Sequence, residues 1–316
     1  MAADHLVLLA TIATEHFREG LSKVEIARRH DVSRFQVARL LDEALAKGIV
    51  RITIEDPTDP NPQFAGLRES LGINSVTVAP PRPDELMRPA LARHAAALLP
   101  QRLHEGGRLG VAWSRTLMHL PEFLSGLPRV DVVQLVGALS APGTSTAASS
   151  ALIHSVGASA GGEGWPLPTP LIMDTAESAA ALRGVAEVSA ALKAADELDV
   201  AVVAIGAWGP GTSTFWDRLN ADEQVQAQKG GVVSECSGIL MDVNGEIALS
   251  GMEDRVIGVR PEQLRRAHVV AVAAAVDHPE AVIAAVRAGF VDDLVVPAEL
   301  AARLVDKLGN SQMRIS

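Results

Sequence analysis

Six side chains near the N-terminus are of the types that read a duplex. Lys23 precedes the run Ser33-Arg34-Phe35-Gln36, and Arg39 follows one helical turn later. Arginine, glutamine and serine donate to base edges and phosphate oxygens, and an exposed phenylalanine packs on a thymine methyl. A small helical packing module with solvated arginines would carry the same residues. The elements around them must decide between the two.

A second group of polar side chains follows apolar runs in the larger part of the chain. Trp113-Ser114-Arg115-Thr116 closes the run from Arg108. Its hydroxyls, backbone N–H groups and guanidinium converge on an anion if a helix begins there. The alternative is a plain strand–helix turn with a serine cap and an exposed arginine. Gly137, Ala138 and Ser140 close the run from Val130, where a glycine lets backbone approach a ligand and a serine donates to it. Gly206 and Trp208 close a third, and Trp208 either offers a sugar a flat apolar face or fills the core. Glu235, at the end of the run from Val232, supplies a carboxylate. Its neighbour Cys236 reads as a small buried residue, since no Cys–His signature accompanies it. No metal or organic cofactor is expected.

The first 55 residues predict helices that would position the first group. His5–Glu19 is apolar at Leu6, Leu9, Ile12, Ala13 and Phe17, which is helical spacing, and Gly20 ends it. Ser22 with Glu25, three residues on, predicts a capping box for a short second helix. After a tight turn at Asp31-Val32, Ser33 caps a third helix running to about Lys47. Val37, Leu40, Leu41 and Ala44 share one face of it and Phe35, Arg39, Asp42 and Ala46 the other. Ile49–Ile54 then reads as a strand. Helix, turn, helix and strand in this order predict a winged helix-turn-helix, with the third helix for the major groove.

Charge divides the chain at the same place. Of 316 residues, 48% are hydrophobic and 3% aromatic, with no tyrosine and a formal charge of −10. Residues 1–55 hold eight basic and eight acidic side chains, so the entire acidic excess lies beyond them. The proline-rich stretch 57–62 denies helix and sheet. The expected organisation is therefore a DNA-binding domain at 1–56, a linker at 57–62 and a second domain at 63–316. No apolar run approaches the ~18 residues of a membrane span. The N-terminus lacks a basic leader pattern and reads as mature protein. A single cysteine, Cys236, excludes a disulfide framework and suits the cytoplasm.

Beyond the linker, valine-rich runs alternate with helical patterns. Ser75–Ala79, Arg108–Trp113, Val130–Val136, Val200–Gly206, Val232–Asp242 and Val269–Ala275 read as strands. Leu91–His104, Ala147–Ala158, Thr175–Ala194 and Glu280–Ala288 read as helices. Nearly continuous apolar strands predict a mainly parallel α/β sheet covered on both faces. Ligands of such sheets bind at the carboxyl ends of the strands.

The stretch GLSKVEIARRHDVSRFQVARLLDEALAKGIVRITI resembles the DNA-binding region of SorC/DeoR-type sugar-binding bacterial regulators, and the resemblance continues through most of the chain. It implies an effector domain similar to sugar-phosphate isomerases, controlled by a sugar, sugar phosphate or polyol. It also implies double-stranded operator DNA as partner and a homodimer or homotetramer.

Gly110–Leu117 is similar to the family's Gly-Val-x-Trp-Gly-Arg-Thr segment, associated with the effector's phosphate, with Ser114 in place of the glycine. Val132–Ser140 and Asp199–Trp208 are similar to two further ligand loops. Gly231–Gly238 is similar to a fourth, with Glu235 where the family has aspartate. Ala274–His278 departs most, because two glycines become alanine and His278 stands for a lysine that faces phosphate. That change suggests a less anionic effector as an alternative to the usual sugar phosphate. Glu235 and His278 are also of the types for an acid–base pair, which makes an isomerase-like enzyme the rival reading. An oligomeric adaptor that no longer binds DNA is the third.

Overall fold

Capping boxes shape the N-terminal helices of the computed structural model, which describes residues 2–47, 49–50, 64, 66–138, 147–248 and 251–312. The chain divides into two compact units, Met1–Asp59 and Pro60–Ser316. In the first, α1 (Ala2–Phe17) is followed by α2 (Lys23–Arg29) and α3 (Arg34–Ala46). Ser22 with Glu25, and Ser33 with Gln36, each exchange side chain-to-backbone hydrogen bonds across the first turn of a helix. Asp31 takes a left-handed φ of 54° and turns the chain between α2 and α3.

Leu9, Ile12, Ala13, Ile26, Ala27, Val37, Leu41 and Ala44 form the core of this unit. Glu15 is buried against it, with Arg29 Nη1 at 3.0 Å and His30 Nε2 at 2.8 Å. Arg29 is thereby committed to the fold. Ile49 and Val50 form a bend and not the start of a strand. The remainder of the expected strand, 51–54, and the proline linker, 57–62, lie outside the described residues.

The second unit holds one mixed sheet. After α4 (Leu67–Leu71) come β1 (Ser75–Ala79), α5 (Asp84–Leu98), β2 (Arg108–Val111), β3 (Val130–Gln134), α6 (Ala147–Ala160) and β4 (Gly161–Trp165). Helices α7 (Ala176–Arg183) and α8 (Ala186–Ala194) lead to β5 (Val200–Ala207) and α9 (Ala221–Lys229). The chain then forms β6 (Val232–Cys236), β7 (Ile239–Asp242), α10 (Pro261–Leu264), β8 (His268–Ala273), α11 (Pro279–Arg287), β9 (Asp293–Pro297) and α12 (Ala298–Gln312).

Seven strands run parallel in the order β1-β9-β8-β5-β2-β3-β4. Valines facing both layers explain why these strands read as unbroken apolar runs. From β2 the sheet grows outward through β3 and β4, and from β5 it grows the other way through β8 and β9. The order reverses between β2 and β5, which opens a crevice at their carboxyl ends.

Two predicted elements divide. The run Val232–Asp242 is a hairpin, β6 and β7, turned by Ser237 (φ 55°) and Gly238 (φ 80°). The stretch Thr175–Ala194 breaks at Gly184 into α7 and α8. The hairpin attaches antiparallel to the last residues of β5, with Gly206 opposite Glu235. It therefore delivers Glu235 to the crevice.

Candidate functional site

The crevice is a cavity of about 180 Å³ bounded by the ends of β2, β5 and β8, the turn of the β6–β7 hairpin and the loop after β5. Its apolar floor comes from Val136, Ala204, Ile205 and Val272. Ser114, Thr116, Thr212, Ser213, Thr214 and Ser237 also line it, although Thr212 Oγ1 donates to Ala207 O and Gly209 O. Two guanidiniums line it, Arg115 from the turn after β2 and Arg88 from α5.

Each polar group is placed by local structure. Chain leaving β2 enters a helix, a six-residue 3-10 turn at Leu117–Glu122. Ser114 Oγ accepts from Leu117 N–H at 3.0 Å, so the serine caps that turn. Arg115 Nη2 donates to Gly211 O at 2.7 Å, tying the β2 turn to the loop after β5. Arg88 is half-buried and makes no ion pair among the described residues. Burial first, and then the charge of Arg115, lower its pKa from the ordinary value. It remains a cation, as arginine does in proteins.

Glu235 lies deeper, with 9% of its surface exposed. One carboxyl oxygen accepts from Gly238 N–H at 2.7 Å and the other from Ser213 Oγ at 3.4 Å. Burial outweighs those two bonds and pushes the carboxyl up to about 7. Gly206 leaves room for it, since a Cβ there would stand 3.2 Å from Glu235 Oε2.

Of the residues expected at the effector site, Trp113, Ser114, Arg115, Thr116, Gly206 and Glu235 line this cavity together. The others are placed elsewhere. Gly137 N–H donates to Ile257 O, and Ala138 is bonded through its N–H and C=O to Thr169 and Leu171. Both are held in backbone ladders beside the cavity, and Val136 is the residue of that loop that faces it. Trp208 packs edge-on against Phe215 and Trp216, with ring centroids at 6.1 and 5.2 Å. It serves an aromatic cluster and offers the cavity no face.

His278 does not line the cavity either. It precedes Pro279 at the start of α11, and its Nδ1 lies 3.3 Å from Glu280 Oε1. The residues of that segment that do line it are Ala274 and Ala275. Ser140 lies outside the described residues. Arg88 and the Thr212–Thr214 segment escaped the sequence reading. A Gly-Pro-Gly-Thr-Ser-Thr run directly after a strand was the available signal for the loop. Nothing local marked Arg88.

In the N-terminal unit, Lys23, Ser33, Arg34, Phe35, Gln36 and Arg39 are all exposed. Phe35 is 75% exposed, and Arg34 Cζ lies 5.2 Å from the centroid of its ring. Ser33 Oγ and Gln36 Oε1 are engaged in the capping box.

A switch-point cavity lined by hydroxyls and guanidiniums, in a chain that also carries a helix-turn-helix-like unit, is the arrangement of a ligand-responsive transcriptional regulator. Residues 63–306 match the family model "Putative sugar-binding domain", and the chain belongs to that sugar-binding family of SorC/DeoR-type regulators. It is 27% identical over 311 residues to the transcriptional regulator LsrR of Enterobacter sp. (strain 638), covering 94% of this chain and 92% of the relative. It is 24% identical over 302 residues to the deoxyribonucleoside regulator of Bacillus subtilis (strain 168), covering 93% and 95%.

The crystal structure of the full-length sorbitol operon regulator SorC from Klebsiella pneumoniae shares the fold. Its TM-score is 0.72 at 22% identity, over 96% of this chain and 99% of that one. These relatives are named as regulators and not as enzymes, and the chain is a regulator of the same kind. Among the described residues no helix is long and apolar enough to cross a membrane.

Proposed function

We propose that the protein binds operator DNA through α3 and is controlled by a phosphate ester of a sugar or polyol held in the switch-point cavity. One observation carries the ligand assignment. Arg88 and Arg115 line the same cavity beside Ser114, Thr116 and Thr214. Paired guanidiniums amid hydroxyl and N–H donors match a phosphate's oxygens. The cation missing at His278 is supplied from α5, so the histidine gives no reason to prefer an uncharged effector. The relatives named for a deoxyribonucleoside and for the sorbitol operon agree with a carbohydrate ligand.

The enzyme reading loses its acid–base pair, because Glu235 lines the cavity and His278 does not. Ser33, Arg34, Phe35, Gln36 and Arg39 would face the major groove, and Lys23 a phosphate. Ligand occupancy would shift the full chain, a homodimer or homotetramer acting in the cytoplasm, between states of different operator affinity. Matched calorimetry with glucose and glucose 6-phosphate, and with ribose and ribose 5-phosphate, tests the ligand class. Preference for the esters supports it, and equal or better binding of the free sugars overturns it.

A further inference from the structure

The cavity is lined by two kinds of ionisable group, the guanidiniums of Arg88 and Arg115 and the carboxyl of Glu235. The Arg115 charge bears on Arg88, whereas no cation is paired with or hydrogen-bonded to Glu235 among the described residues. Glu235 meets Gly206 from β5, Ser213 from the loop after β5, and Gly238 from its own turn, all uncharged. Leu240 of β7 stands opposite in the ladder. The adjacent Cys236 thiol is pushed up by burial and stays neutral.

The helices packed on β6 bring no free counter-charge. On α9, Glu223 is paired with Arg255 at 2.5 Å, and Asp222 and Lys229 are exposed. On α11, Glu280 is held by Lys307 and His278, and Arg287 Nη1 donates to Val243 O. A buried carboxylate with one short and one long hydrogen bond and no cation is costly, and its neutral form is not.

We infer that Glu235 selects ligands with a single anionic group: its carboxyl stays protonated in the complex and donates a hydrogen bond to an uncharged oxygen of a monophosphate ester. The inference rests on the phosphate-ester reading of the cavity and deepens it. A phosphate dianion entering the same enclosed space disfavours a second negative charge, so binding draws a proton onto Glu235 from the solvent wherever the free carboxyl is ionised. The free carboxyl ionises at about 7, which puts the uptake within the neutral range. A ligand bearing another anion beside Glu235 would find no cation to pair with it.

Calorimetry on the full-length protein tests this with inorganic phosphate, ribose 5-phosphate, glucose 6-phosphate, 6-phosphogluconate and glucosamine 6-phosphate. Titrations at about pH 6.5 and about pH 8.5, in buffers of differing ionisation heat, read affinity and proton uptake together. The expected result is an affinity for the neutral-sugar monophosphates that falls on the order of tenfold over that interval, with net proton uptake at the higher pH. E235Q should flatten the fall, leaving only the phosphate's own titration. 6-Phosphogluconate should bind the wild type about tenfold or more below glucose 6-phosphate.

Equal pH slopes in wild type and E235Q, or no proton uptake by the wild type, overturn the inference. So does equal affinity for 6-phosphogluconate, or glucosamine 6-phosphate binding more tightly as pH rises, which would mark Glu235 as an ionised partner for an ammonium. Failure of every phosphate to bind removes the phosphate reading itself, and the inference with it.

Discussion

Arg88 and Arg115, 27 positions apart in sequence, line one cavity, and Arg115 is anchored there by its bond to Gly211 O. Neither makes an ion pair among the described residues, so an anion between them would gain from both. Arg88→Ala and Arg115→Ala should each weaken binding of a sugar phosphate by roughly 10- to 100-fold, the effect of losing a charge-assisted hydrogen bond. Operator affinity of the ligand-free protein should stay near wild type. Calorimetry and a gel-shift assay on the same preparations check the two halves, and a lost gel shift would point to misfolding.

Substitutions on α3 should act in the opposite sense. Phe35→Ala and Arg39→Ala should each cost about 1–3 kcal/mol of operator binding. Sugar-phosphate affinity should be unchanged, since both side chains are exposed on a unit with its own core. Salt titrations of the gel shift would separate them, with Arg39→Ala alone lowering the salt slope if it meets a phosphate.

Gly137 is required by its neighbours and not by a ligand. A Cβ there would fall on Pro170 O and stand 2.8 Å from Leu171 N. Gly137→Ala must push apart backbone that carries the bonds of Ala138 to Thr169 and Leu171. A loss of about 2–4 kcal/mol is expected, measurable by urea denaturation, and an unchanged midpoint would show that the loop yields.

Asp293 is fully buried at the start of β9 and ties three segments together. Ser75 Oγ donates to it at 2.6 Å, Arg102 Nε at 3.1 Å, and His268 Nε2 lies at 2.6 Å. Burial pushes its carboxyl up, but the hydrogen bonds from Ser75 and His268, the His268 charge and the bond from Arg102 outweigh that and hold it below the usual range. A lowered value means that this stabilisation is present above the ordinary aspartate pKa and is lost as pH falls through the folded-state value. Asp293→Asn should therefore cost roughly 3 kcal/mol at neutral pH and flatten the acid limb of the unfolding curve. Thermal melts from about pH 3 to about pH 7 read both.

How much of this was legible in the chain depends on the range of each interaction. Ser22 with Glu25 and Ser33 with Gln36 are local: the first start is legible from the capping-box spacing and the second from the serine cap. Ser114, Arg115 and Thr116 lie at the end of a recognisable strand, so their presence at the crevice followed from topology. Arg88 was invisible because nothing within α5 distinguishes it from a solvated arginine, and only folding brings it beside Arg115. His278 failed for the converse reason. Its position after β8 suggested the crevice, but the start of α11 at Pro279 fixes it near Glu280. The β6–β7 turn was missed because the apolar run obscured the Ser237-Gly238 pair, which turns the chain.

The capping box at α3 also constrains what the helix can say to a duplex. Gln36 Oε1 accepts from Ser33 N–H at 2.9 Å, which uses one of its two lone pairs and holds the amide against the helix start. A glutamine that reads adenine with both arms needs its oxygen free to accept from N6. While the box is closed, the helix start sets the amide's orientation, and a two-armed contact with adenine would have to turn that oxygen or share its second lone pair. Any reading of an operator base by Gln36 would thus compete with a bond whose first task is to begin a helix.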